Sequence, residues 1–67
     1  MSFAEIIKDL RQEKNLSQKQ LSEKTGISQS AIARWELLQT EPTASALIVL
    51  SAFFGVTVGQ LLGKEVL

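Results

Sequence analysis

The sequence predicts an all-α fold of five short helices, and three observations predict it. Apolar residues recur at three- and four-residue intervals, with no strand-like alternation. Ser or Thr stands just before most of these segments, where a side-chain oxygen can cap a helix start. Glycine follows several of them, where a left-handed stop ends a helix.

Phe3, Ile6, Ile7 and Leu10 keep helical spacing and predict a first helix over about 3–14, its charges on the opposite face. Ser17-Gln18-Lys19-Gln20 has the form of a capping box and opens a second helix that buries Leu21 and Ser22 and stops at Gly26. Ser28 caps a third helix, about 28–36, with Ile32 and Trp35 on its inner face. Thr43, after Pro42, caps a fourth helix, roughly 44–54, ending at Gly55. Thr57-Val58-Gly59-Gln60 is a second capping box and starts a short fifth helix ending near Gly63. With no linker and no repeat, residues 1–67 read as a single domain.

Composition narrows the function. The chain has no cysteine and no histidine, which removes disulfides and the usual zinc frameworks, so no metal and no cofactor is expected. It also has no tyrosine and no glycine-rich phosphate loop, and no base stands beside a nucleophile, so an enzyme is not expected. Glu5, Asp9 and Glu13 recur every four residues but interleave with Lys8, Arg11 and Lys14, as a solvated face does. The apolar run 46–50 is too short to span a bilayer, and acids interrupt the N-terminal apolar segment. No membrane is expected, and the location expected is cytoplasmic. The seven basic and seven acidic residues balance, yet residues 1–34 carry a net +2 and residues 35–67 a net −2. An anionic partner would meet the first half.

The second and third helices are joined by TGIS, with glycine at the bend, the composition of a helix-turn-helix whose second helix can lie in a major groove. LRQEKNLSQKQLSEKTGISQSAIARWE is similar to the lambda-repressor-like (XRE, or Cro and repressor) helix-turn-helix family. The resemblance continues through PTASALIVLSAFFGVTVGQLL and so covers nearly the whole chain. It implies a bacterial or phage transcriptional regulator that binds double-stranded DNA as a homodimer on a palindromic operator. It also implies that Gln18 touches a phosphate and braces the reading helix, and that Ser28, Gln29, Ser30 and Arg34 face bases or flanking phosphates.

The chemistry suits those positions: glutamine can bond adenine bidentately, serine is permissive, and arginine prefers guanine or phosphate. Gln29 is the main reader expected, and Lys19, beside the second helix cap, is the best-placed lysine for a phosphate. The resemblance further implies an ion pair between Arg11 and Glu36.

The chain departs from the family after WE, where asparagine, glycine and basic residues usually follow. Here stand Leu37, Leu38, Gln39, Thr40 and Glu41. Without the glycine, the third helix runs longer or its loop is rebuilt; without the bases, phosphate contacts are lost. Leu37, Leu38, Ile48, Val49 and Phe53 exceed what a core of this size hides. They form either a dimer or partner surface, or the inner face of a rearranged core. Two functions therefore stand: a dimeric DNA reader, and a protein-interaction module on the same scaffold. No small-molecule pocket is legible.

Overall fold

The capping residues set where the chain turns. In the computed structural model, which describes Met1–Leu67, α1 spans Phe3–Glu13, α2 Gln18–Thr25, α3 Gln29–Leu38, α4 Ala44–Phe54 and α5 Val58–Leu61. Ser17 and Thr57 close the two expected capping boxes, and Ser2 with Glu5 closes a third at the start of α1. Ser28 and Thr43 accept from the Ala31 and Ala46 amides at 3.2 Å each. Each of these bonds satisfies an amide that would otherwise lack a partner.

Every helix contributes to one core. Ile6, Ile7 and Leu10 of α1 meet Leu21 of α2, Ile32 and Trp35 of α3, Ala46 and Leu50 of α4, and Leu61 of α5. Phe3 meets the Trp35 ring edge-on, centroids 5.4 Å apart, a favoured aromatic arrangement. Ser22 is only half buried, beside the fully buried Leu21.

Two junctions position the site. At the α2–α3 turn Gly26 takes φ 77°, and its amide donates to the Ser22 carbonyl at 2.8 Å. Thr25 hydroxyl donates to the Leu21 carbonyl at 2.7 Å and accepts from the Ile27 amide at 3.2 Å, so the turn is closed from both sides. At the other end α3 runs two residues past the expected stop, to Leu38. Gln39 then takes the left-handed conformation at φ 55° and ψ 36°. The left-handed stop thus falls one position beyond the absent glycine and is held by a residue with a Cβ, which costs about 1–2 kcal/mol. The Gln39 amide makes no backbone hydrogen bond, unlike the caps of α1, α2, α4 and α5.

Phe53 follows the second of the two courses open to the apolar set, the inner face of the core. It is half buried, packed on the core and edge-on to Phe54 at 5.0 Å, with the Lys14 ammonium 5.7 Å from its ring centre. Its apolar surface is already used within the fold, so it does not belong to the free apolar surface. No helix is long and apolar enough to cross a membrane.

Candidate nucleic-acid interface

The periodicity of α3 divides it into a buried and a free face. Ile32 and Trp35 point into the core, and at 100° per residue the opposite side carries Ser30, Ala33, Arg34 and Leu37. Gln29 stands exposed in the first turn. The side chains of Gln29, Ser30 and Arg34 make no hydrogen bond or ion pair within the chain. Their donors and acceptors are thus available to an outside partner. Ser28 differs, because its hydroxyl is engaged as the α3 cap.

Behind this face lies a clamp. Arg11 Nε and Nη2 donate to Glu36 Oε2 and Oε1, both at 2.8 Å, in a bidentate pair. The third nitrogen, Nη1, donates to the Leu16 carbonyl at 2.8 Å, and Gln18 Nε2 donates to Glu36 Oε1 at 3.2 Å. One carboxylate on α3 is therefore tied to α1 directly and to the start of α2 through Gln18. The pair is nearly buried, with 11% of the Arg11 side chain and 6% of the Glu36 side chain exposed. Burial pushes the Glu36 carboxyl up, but the Arg11 and Gln18 hydrogen bonds, together with the positive charges of Arg11 and Lys8, outweigh it and leave the carboxyl below its ordinary 4.5. The Glu36 hydrogen bond raises the Arg11 guanidinium further above its ordinary value. The spacing of the chain gave no sign of the Leu16 contact; the arginine's third donor is satisfied by a loop carbonyl.

The other candidates scatter around this core arrangement. Lys19 is exposed in the first turn of α2, next to Gln18. Arg34 lines an open groove of about 460 Å³ together with Ser28, Ala31, Trp35, Glu41 and Val49. A carboxylate shares that groove with the arginine, yet the two form no ion pair. Leu38, at 63% exposure, lies within about 20° of Ala31 around the helix and so leans toward this groove, while Ile48 on α4 is 66% exposed and Val49 37%. Leu37, 80% exposed, is on the opposite flank, on the side that carries Ser30. The two adjacent leucines thus do not form one patch.

Comparison with known proteins places this geometry. The family model described as Helix-turn-helix matches residues 7–61. The HTH-type transcriptional activator BcrR of Enterococcus faecalis is 42% identical over 65 residues, which cover 97% of this chain and 32% of that protein. The Immunity repressor protein of Bacillus phage phi105 is 34% identical over 67 residues, covering 100% of this chain and 46% of that protein. The chain thus spans a third to just under half of the length of these relatives.

Proposed function

The chain belongs to the helix-turn-helix family, and on that footing we propose that it binds double-stranded DNA sequence-specifically and regulates transcription, as a dimer on a palindromic operator. One observation carries the reading. A helix face bearing Gln29, Ser30 and Arg34 with every polar group free is held rigidly from behind by the Arg11–Glu36–Gln18 clamp. Readout of base edges needs this combination, because side chains already bonded internally have nothing to offer, and a loose helix loses register. Gln29 is the main reader, Ser30 its neighbour, Arg34 a contact to guanine or phosphate at the rim, and Gln18 and Lys19 contacts to the backbone. The relatives are named as an activator and a repressor, which supports a regulator acting where the operators are, in the cytoplasm.

Leu38, Ile48 and Val49 supply the self-association surface in this reading, each exposed and apolar, with Val49 lining the groove that Arg34 shares. The same residues favour the second reading, an interaction module with little DNA affinity, and Glu41 beside Arg34 adds to it.

Selection from a pool of random duplexes, at low and moderate salt, separates the two. A palindromic motif enriched by the wild type and lost by Gln29→Ala is the outcome expected. Weak binding that enriches nothing and vanishes by moderate salt would turn the assignment to the interaction module.

A further inference from the structure

An exposed leucine in the middle of a DNA-reading face is a chemical anomaly. Leu37 lies about 20° from Ser30 around α3 and one turn beyond Ala33, with 80% of its surface in solvent. Gln29, Ala33 and Leu37 follow one another at four-residue steps, so beyond its first turn the free face carries an apolar row, Ala33 and Leu37, beside Arg34. Helical side chains lean toward the N-terminus, so the Leu37 methyl groups cover the turn above Ala33 rather than the frayed end. They therefore face outward on the Ser30 flank, displaced from Gln29 by roughly 12 Å along the axis, or about three to four base pairs.

A phosphate oxygen or a base amide offers such a side chain nothing. Among the groups that double-stranded DNA presents in its major groove, the thymine C5-methyl is the apolar one. We propose that Leu37 is a specificity-determining residue that recognises a thymine methyl group, with the Ala33 methyl completing the apolar end of the reading face. This rests on the DNA-reading assignment above and adds a preference within the half-site. The adenine bonded by Gln29 is followed, about three to four base pairs along α3, by a position where thymine is required for its methyl rather than its hydrogen bonds.

The test uses the duplex selected by the wild-type chain, with Gln29→Ala locating the adenine. Each thymine is then replaced singly by deoxyuridine, which removes the methyl and keeps every hydrogen bond. The wild type is expected to lose about fourfold in affinity per lost methyl contact at a thymine three to four pairs from that adenine. Leu37→Ala, whose fold the exposed position leaves intact, is expected to bind the parent duplex correspondingly more weakly and to ignore the same deoxyuridine. Equal sensitivity of both proteins at every thymine, or no sensitivity in the wild type, overturns the proposal while leaving the DNA-reading assignment standing. A fall in the sedimentation mass of free Leu37→Ala, with the deoxyuridine profile unchanged, overturns it in favour of self-association. A pool that enriches no motif overturns both.

Discussion

Glu36→Ala is the substitution that tests the clamp most directly. It removes two charge-assisted bonds of 2.8 Å from a guanidinium whose side chain is 11% exposed. Such bonds contribute about 1.5–3 kcal/mol each, and breaking one side of a buried pair costs about 3–5 kcal/mol. Arg11 keeps its bond to the Leu16 carbonyl, and Gln18 can turn to water, so we expect about 3 kcal/mol. A chain of 67 residues has about 3–10 kcal/mol in total, so the variant sits near its folding threshold. Urea unfolding followed by circular dichroism reads the loss, and a double-mutant cycle with Arg11→Met isolates the pair. The coupling is expected to be about 2 kcal/mol. A coupling below about 0.5 kcal/mol, the value of an exposed surface pair, would refute the claim that the clamp orders α3.

The same pair fixes the acid response. The Glu36 carboxyl titrates below its ordinary 4.5 in the folded chain. Its contribution is therefore complete above that value and is lost as pH falls through the lower, folded one. The acid limb of the stability profile should flatten in the Glu36→Gln variant.

Three further outcomes are expected. Gln39→Gly relieves a left-handed residue at φ 55° and should raise stability by about 0.5–1 kcal/mol after the entropy cost of glycine, read as a higher urea midpoint. The same change at Asn15, φ 56°, should gain less, because asparagine tolerates that region; equal gains would remove the argument. Arg34→Ala should lower the slope of log affinity against log salt by about 1 if the side chain meets a phosphate. An unchanged slope with altered base preference would assign it to guanine instead. Ile48→Asp should weaken self-association about tenfold or more by sedimentation, with the circular dichroism spectrum retained, and an unchanged mass would remove α4 from the interface.

Local chemistry made most of the fold legible. Ser17, Ser28, Thr43 and Thr57 cap the helices they were expected to cap, and Gly26 and Gly55 end theirs in the left-handed conformation. Each of these signals is a side chain acting within four residues of itself. The Ser2–Glu5 box was equally local and equally visible in the spacing, but the reading began one residue later, at Phe3. The longer α3 is the first of the two outcomes expected from the missing glycine, but its exact end is not legible, because nothing in Gln39 announces a left-handed residue. For Phe53 two courses stood open, because helical spacing counts apolar positions and cannot see that Lys14 and Phe54 flank one of them. The separation of Leu37 from Leu38 needed the actual length of α3, because an extra half-turn decides which leucine shares a flank with Ser30.

The independence of the reading face has a consequence for how such a chain can change. Gln29, Ser30 and Arg34 bond nothing inside the protein, while Ile32, Trp35 and Glu36 on the same helix carry the packing and the clamp. The proposed address and the architecture therefore occupy interleaved positions of a single ten-residue helix without sharing a hydrogen bond or an ion pair. Under the proposed DNA-reading role, operator preference would drift, or be rewritten by design, one letter at a time while the melting behaviour stays put. A lineage carrying this scaffold can acquire new genetic targets without passing through an unfolded ancestor.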